Sequence, residues 1–525
     1  MNKFVVALVL GLGLLCLASY SNSLHNPFLM DDHALILDNP HIGDISHLQL
    51  NPFSAAKGSA GGEHYIYFRP LTHLADYLSY TLYGHDVFGY HVMNLTLLFI
   101  SALLWWVLLT RLFPEGPAPL IGSLLFVSHP IFGVLVNYTS TTGYILLIIL
   151  VVTGFLCHLA HTSRPHPGWV AAGTGCFALS LLCHETAAGF PFYLAGLLCF
   201  VDKYPPGRIL RHLLPYFAVI GLYILFRMHY ASLKDGVLDN IGGFRLDLFE
   251  YSAMLGQLVI SYLNNLVFLR DIVLIYSAPG TDHPLLWAGL LALLLVAALS
   301  LLRRWRSDPK GIFVWWLLVG FGPVTLACFS RPSMGLIISP HWLLIPSLGY
   351  CLFIALLFAQ LIGTTRRRIG IGVTVFVLIA FVSVSRYYNR LWGNEILYCH
   401  YMLKLSPRIP LAKFWLAHAY AADGQWQPAR QYFQETIMGV ENDWKGYVNL
   451  GVIEGQLGNP AGEIKYYLRA LKLKPDSPDL WNNLATVYID TGETDKARVI
   501  LTRLLRRNPN FDAARANLQL ISPAP

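Results

Sequence analysis

Apolar and polar stretches alternate along the first 385 residues in blocks that match the thickness of a membrane. A helix needs roughly 20 largely apolar residues to cross the hydrocarbon core of a bilayer. We therefore read eleven spans from the pattern. They lie at about 3–20, 88–110, 118–136, 143–160, 169–183, 187–201, 209–229, 285–302, 311–329, 343–362 and 369–385.

The stretch 247–276 breaks this pattern because it is apolar yet carries Glu250, Arg270 and Asp271. If it crossed the bilayer, the basic cluster at 303–310 would lie on the opposite side from the other short basic loops. Cytoplasmic loops are enriched in Lys and Arg, which argues against that crossing. We expect 247–276 to be an amphipathic helix that lies along the interface.

With the N-terminus in the cytoplasm, this arrangement places the most polar features of the chain on one outer face. They are the first loop at 21–87, the junction His184-Glu185, the loop at 330–342, and everything after residue 386. The outer compartment would be a periplasm, or the lumen of the endoplasmic reticulum in a eukaryotic host.

After residue 386 the pattern changes to amphipathic helices with a period of 34 residues. Gly424, Gly458 and Gly492 share this spacing. The period, with a glycine at each turn, is typical of tetratricopeptide repeats, which usually form binding grooves. We predict a repeat domain at 386–525 with full repeats at about 410–443, 444–477 and 478–511, a preceding half repeat and a C-terminal capping helix.

Composition agrees with an all-α membrane protein, and the net charge and the cysteines each add one conclusion. Of 525 residues, 55% are hydrophobic and 13% are charged, and the mean hydropathy is +0.49. The net charge of +7 comes mostly from short loops between spans, so it indicates membrane orientation and not nucleic-acid binding. The eight cysteines show no ligand spacing, so we predict neither a disulfide framework nor a structural metal site.

Two adjacent acids, Asp31 and Asp32, follow the first span. Neighbouring carboxylates repel each other, so one can hold its proton more tightly and serve as a general base. They could alternatively hold a divalent cation through their oxygens, or be a solvated acid pair at a helix start. We take Asp31 and Asp32 as the candidate catalytic residues.

Further polar residues on the same outer face are candidates for binding a phosphate-bearing substrate. Arg69 offers a fork of donors suited to phosphate and has aromatic neighbours, among them Tyr67. An acidic side chain at a membrane is unfavourable in free energy unless it is paired or functional. Glu185 is therefore either a site residue or the partner of a cation such as Arg69. His85 and His341 complete the set.

The order of these motifs resembles one family, the transmembrane-and-TPR protein O-mannosyltransferases of the GT-C glycosyltransferase superfamily. The resemblance covers nearly the whole chain. The motifs are Phe28-x-x-Asp-Asp32, Asn39-Pro-x-Ile42, Tyr67-Phe-Arg-Pro-Leu71 and Tyr90-His-x-x-Asn94, followed by many spans and the repeats.

The resemblance implies that a sugar moves, with inversion, from a polyprenyl-phosphate carrier to an acceptor hydroxyl on the outer face. Asp31 would then be the base, Asp32 its neighbour, and Arg69 the contact to the lipid phosphate. The repeats would present a protein acceptor or recruit a partner. Two other classes stay open: a lipid or sugar transporter, for which we would expect charges in mid-span, and a non-catalytic membrane scaffold.

Overall fold

The computed structural model describes residues 3–45, 69–229, 248–273, 308, 310–329, 340–407, 409–439 and 444–521. Within these ranges the regular structure is helical, with no strand. The described residues form two compact units, one ending at Asn394 and one beginning at Glu395. The predicted all-α fold is confirmed.

The described residues of the first unit form thirteen α-helices. They are α1 (Lys3–Tyr20), α2 (Pro70–Tyr83), α3 (Val87–Leu112), α4 (Ala118–Ser128), α5 (Gly133–Asn137), α6 (Thr142–Ser163), α7 (Pro167–Cys183), α8 (Phe190–Phe200), α9 (Pro206–His229), α10 (Leu248–Leu263), α11 (Gly311–Phe329), α12 (Leu344–Ile362) and α13 (Arg367–Trp392).

Six helical segments in the described part of the chain are long and apolar enough to cross a membrane, or seven if one bent pair is a single span. The chain is therefore a multi-pass membrane protein, with fewer such segments than the eleven predicted. The predicted spans at 169–183 and 187–201 correspond to shorter apolar helices, and the one at 285–302 lies outside the described residues. The six are Lys3–Ser23, Val87–Leu112, Thr139–Ser163, Pro206–Arg227, Pro340–Ile362 and Arg367–Trp392.

The bent pair is α4 and α5, which meet at 46° around His129 and Pro130. Proline has no N–H and restricts the residue before it, so His129 is extended and the helix stops at Ser128. Groups from other elements contact His129 at the break. Tyr20 donates to the His129 carbonyl at 2.9 Å, and the His129 ring contacts the Leu266 carbonyl at 3.1 Å.

Aromatic rings fill the centre of the first unit. Phe155 stacks on Phe190 with ring centroids 5.0 Å apart and on Trp316 at 5.5 Å. The Trp316 indole N–H, which would be unsatisfied in an apolar core, donates to the Tyr193 carbonyl at 2.9 Å. These contacts join α6 to the first residue of α8 and to the first half of α11.

The predicted interfacial stretch begins with α10, continues as a helical turn to Phe268, and is irregular to Val273. Leu266 and Val273 are buried in the first unit. Residues 274–276 of the predicted helix lie outside the described residues. At the other predicted boundary, α13 continues beyond residue 385 to Trp392.

The second unit consists of helix pairs. They are α14 (Glu395–Leu405), α15 (Pro410–Ala422), α16 (Trp426–Gly439), α17 (Trp444–Gln456), α18 (Pro460–Leu473), α19 (Pro478–Asp490), α20 (Thr494–Arg507) and α21 (Asp512–Leu520). The glycines at 424, 458 and 492 have φ of +72°, +72° and +77°, a conformation that other residues rarely adopt, at the turn inside each pair. Adjacent pairs bury shared cores such as Ala417, Phe433 and Leu450.

Candidate functional site

The two adjacent acids have opposite environments. Met30 has φ of +53°, a left-handed conformation that turns the chain just before them. Asp31 and Asp32 then begin a helical turn in which Asp31 is exposed and Asp32 is completely buried. One side chain therefore faces the solvent side while its neighbour is part of the protein interior.

Asp32 fastens the first loop to the start of α6. Its Oδ1 accepts from the Ser140 N–H at 2.8 Å, and its Oδ2 accepts from Thr139 at 3.2 Å and from Leu29 at 3.3 Å. Two of these donors are at the N-terminus of a helical segment, where backbone N–H groups favour an anion. Burial raises the pKa of Asp32 to about 6, and the hydrogen bonds from Ser140 and Leu29 limit that rise.

Asp31 lies beside Tyr138, whose hydroxyl hydrogen-bonds to its carboxylate. The Tyr138 ring lies 5.9 Å from that of Trp392, at the end of α13. Burial, together with the charges of Asp31 and Asp32, raises the pKa of Tyr138 well above its usual value, so the phenol keeps its proton. Asp31 is thus an exposed acceptor held in place by one buried donor.

A second polar cluster surrounds Glu185, in the turn between α7 and α8. Arg69 donates to Glu185 Oε2 from Nε at 3.0 Å, and its Nη2 lies 2.8 Å from the same oxygen. Arg227, at the end of α9, places Nη1 3.7 Å from Oε1. Burial raises the pKa of Glu185, but the charge of Arg69, its hydrogen bond and smaller contributions together outweigh burial, and the pKa falls to about 2. The predicted pairing of Glu185 with Arg69 is thus present.

Histidines and aromatic rings cover this cluster. His184 accepts the Thr186 N–H at Nδ1, so its Nε2 carries the proton and faces the Tyr144 hydroxyl at 2.6 Å. Burial lowers the pKa of His184 well below its usual value, with a further contribution from Arg69, so the ring is neutral. The ring of His341 lies 4.5 Å from that of Tyr144, which brings this predicted residue into the cluster.

Helix α2 joins the two clusters. Arg69 precedes its first residue, Pro70, and His73 and Asp76 follow on the same face at helical spacing. Asp76 is 8% exposed. Burial, and next the charge of Asp32, raise its pKa to about 8, whereas burial and then Arg69 lower the pKa of His73 to about 4. The polar residues therefore form one series along α2, which runs from Glu185 through Arg69, His73, Asp76 and Asp32 to Asp31.

The cluster around Glu185 has unsatisfied binding capacity. Two guanidinium groups face one carboxylate, so these three side chains have a net charge of +1. Of the buried side-chain polar atoms that make no hydrogen bond in the described part of the chain, three belong to this cluster: Glu185 Oε1, Arg227 Nε and His341 Nδ1. Buried polar atoms in native proteins are nearly always paired, so a group of unpaired ones indicates a place for a ligand.

Two predicted residues are not part of this arrangement as described. His85 is exposed at the far end of α2, about 20 Å along the helix from Arg69 at 1.5 Å per residue. There it lies against the Tyr80 ring at 5.2 Å. Tyr67 lies outside the described residues. In the part of the chain that the structure covers, no group of three His, Cys, Asp or Glu side chains could hold a metal ion.

Sequence reasoning missed Asp76, Arg227, Tyr138 and Tyr144. Asp76 had a readable signal, because it is an acid two helical turns after Arg69 on a predicted outer segment. Arg227 had another, since it is a charge near the end of a predicted span. The two tyrosines had none, because tyrosine is common at the ends of membrane helices for packing reasons alone.

The fold and the site define a multi-pass membrane protein with a charged site at one end of its helices and a tetratricopeptide tail. Two models of the tetratricopeptide repeat match the chain, at residues 416–478 and 457–520. The predicted repeats are confirmed.

Over most of its length the chain is similar to protein O-mannosyl-transferases, which confirms the resemblance predicted from the motifs. It is 24% identical to Tmtc3 of Drosophila melanogaster over 88% of this chain and 58% of that protein. It is 23% identical to TMTC3 of Homo sapiens over 90% of this chain and 55% of that protein. The chain thus spans about half the length of these relatives.

Among solved structures, the oligosaccharyltransferase of Archaeoglobus fulgidus aligns with a TM-score of 0.42 at 10% identity, over 82% of this chain and 59% of that one. MamA aligns with a TM-score of 0.23 at 22% identity, over 24% of this chain and 74% of that one.

Proposed function

We propose that this chain is a membrane glycosyltransferase that moves a sugar from a polyprenyl-phosphate carrier to an acceptor hydroxyl. The observation that carries the proposal is the polar series along α2. It joins an exposed carboxylate, Asp31, to a positively charged cluster with unpaired buried polar atoms around Arg69 and Arg227. The names of the relatives, protein O-mannosyl-transferases, support the same activity.

In this mechanism Asp31 takes the proton from the acceptor hydroxyl as its oxygen attacks the anomeric carbon. The bond between that carbon and the phosphate oxygen breaks, and the configuration at the carbon inverts. The departing lipid phosphate gains negative charge. Fixed cations stabilise such charge most where water is excluded, and this is the role proposed for Arg69 and Arg227.

Asp32 and Glu185 act as positioning residues in this proposal. The three backbone hydrogen bonds of Asp32 set the direction in which Asp31 points. Glu185 orients both guanidinium groups and keeps them from repelling each other. A divalent cation near the acids stays an untested prediction. The mechanism as proposed does not need one, because the arginines face the leaving phosphate.

We further propose that the repeats lie on the same side of the membrane as Asp31 and present a protein acceptor to it. The last helix of the first unit, α13, ends beside the first loop and beside Tyr138, the neighbour of Asp31. Asn389 donates to the Ser19 carbonyl at 2.9 Å, and Trp392 lies against Tyr138. A chain that leaves the membrane there enters the outer compartment directly.

The test is sugar transfer by the purified full-length chain in lipid nanodiscs, with a panel of radiolabelled polyprenyl-phosphate sugars and a peptide acceptor. Asp31→Asn removes the base and should lower turnover by roughly 10²- to 10⁴-fold, with donor binding retained. Asp38→Asn is the matched control, because Asp38 is exposed on the same loop. Equal turnover in Asp31→Asn and wild type would exclude Asp31 as the base.

A further inference from the structure

A second charged site lies at the opposite ends of the helices that carry the Glu185 cluster. Helix α6 begins just after Ser140, which bonds to Asp32, and carries His158 and His161 near its other end. Helix α9 carries Arg211 near its start and Arg227 near its end. A 22-residue helix is about 33 Å long, close to the thickness of the hydrocarbon core. The two sites therefore lie near opposite surfaces of the membrane.

This second site is a cavity of about 250 Å³ between α6, α7 and α9. By this measure a cavity needs roughly 10–15 Å³ to hold one water molecule, so this cavity is large enough for a phosphate group. The described residues that line it include no carboxylate. They are His158, His161, Trp169, Val170, Arg211, His212, Pro215 and Tyr216.

Three imidazoles meet in this cavity. The ring of His212 lies 5.2 Å from that of His158 and 6.4 Å from that of His161. His158 is 5% exposed, and its buried Nε2 has no hydrogen-bond partner among the described residues. An unpaired buried nitrogen that lines a cavity is unfavourable unless a ligand or water meets it.

Helix α9 contributes a proline to the wall of the cavity. Pro215, inside the helix, cannot donate to the carbonyl of Arg211, four residues earlier. Arg208, one turn earlier, lies over the Tyr204 ring at 3.9 Å and is not among the residues that line the cavity. Arg211 is the one arginine among the described lining residues.

The position at the membrane surface identifies the kind of ligand. Trp169 lines the cavity and is 43% exposed, as is common for tryptophan at the level of lipid headgroups. Basic pockets between membrane helices bind anionic headgroups. We propose that this cavity, the histidine pocket, binds the phosphate of an anionic phospholipid in the leaflet opposite the Asp31 site.

The test is native mass spectrometry of the full-length protein in detergent, titrated with phosphatidylglycerol and separately with phosphatidylcholine. We expect one phosphatidylglycerol to be retained in preference to phosphatidylcholine. Arg211→Gln should weaken its binding about fivefold, the effect of one basic residue beside an anionic headgroup. The matched control is Arg164→Gln, which removes one exposed charge at the same helix ends without touching the cavity.

The outcomes separate the pocket from surface charge and from free anions. Equal weakening by Arg211→Gln and Arg164→Gln, or equal retention of the two lipids, would overturn the proposal. Displacement of the lipid by millimolar inorganic phosphate would overturn the lipid as the source and leave a free phosphate anion as the ligand. His158→Gln should also weaken binding, and thermal unfolding of each variant verifies that it is folded.

Discussion

At the scale of single residues, identical side chains acquire different roles through burial alone. Asp31 and Asp32 are adjacent in the sequence, yet one is exposed and the other accepts three backbone hydrogen bonds. Asp76 is a third acid of the same region, and its environment keeps it protonated near neutral pH. In this series Asp31 is thus an anion that can accept a proton, Asp32 is an anion that holds a loop, and Asp76 is a neutral acid.

The raised pKa of Asp76 predicts a dependence of stability on pH. The unfolded chain releases this proton near pH 4, but the folded protein holds it to about pH 8. Between these values the folded state binds more protons, so the free energy of unfolding falls as pH rises. The loss is on the order of 5 kcal/mol at pH 8 by linkage.

Asp76→Asn removes this titration. We expect the thermal midpoint in detergent to decline less between pH 5 and pH 8 than in wild type, and Asp76→Asn to be the more stable protein at pH 8. Asp38→Asn should keep the wild-type slope, because Asp38 is exposed. Identical slopes for Asp76→Asn and wild type would show that Asp76 is not protonated in the folded state.

At the scale of elements, helix ends are joined by buried amides. Asn26 donates to Asn137 Oδ1 at 2.6 Å, and Asn137 donates to Asn389 Oδ1 at 2.7 Å. The three residues come from the first loop, α5 and α13. In an apolar surrounding such groups must be paired, so they fix how these elements meet.

Asn137→Leu should destabilise the first unit because it removes the acceptor of one N–H of the Asn26 amide and the donor to the side-chain oxygen of Asn389. An unpaired buried polar group costs about 1–3 kcal/mol, so we expect a loss of roughly 2–4 kcal/mol and a clearly lower thermal midpoint. Ser383→Ala on α13 is the control, since its hydroxyl is exposed and bonds only within its own helix. A midpoint unchanged in Asn137→Leu would mean that the amide network adds no stability.

The sequence predicted elements with a strong period and missed those that depend on tertiary contacts. The 34-residue spacing predicted the turn glycines of the repeats, because glycine adopts positive φ without strain. The series along α2 depends on which helices are neighbours, and no local pattern encodes that. The break at His129 follows from Pro130, but its contacts with Tyr20 and Leu266 depend on tertiary structure. Glu185 and Arg69 were identified as partners because a charge at a membrane needs one.

At the scale of the whole molecule, the proposal requires both the acids and the repeats to face the outer compartment. The loop between α3 and α4 must then face the cytoplasm, because α3 is long enough to cross the bilayer. Val499, 69% exposed on α20, and Glu115, exposed in that loop, report on the two sides.

Val499→Cys should react with a membrane-impermeant maleimide in intact cells or sealed vesicles of the correct orientation. Glu115→Cys should react only after permeabilisation. The wild-type protein gives the background labelling, since the cysteines among its described residues are buried or half-buried. Protection of Val499→Cys until permeabilisation would place the repeats in the cytoplasm and remove their proposed role in presenting an acceptor.

The contact of Asn26 with Asn389 also has a consequence for biosynthesis. Its two residues are 363 positions apart, and Trp392 lies a few positions further along the chain. At about 5–20 residues per second, a ribosome that has added Asn26 needs roughly 20 to 70 s to reach Asn389. The first loop lacks this contact during that time, so a nascent chain can complete the amide network only after α13 has been synthesised.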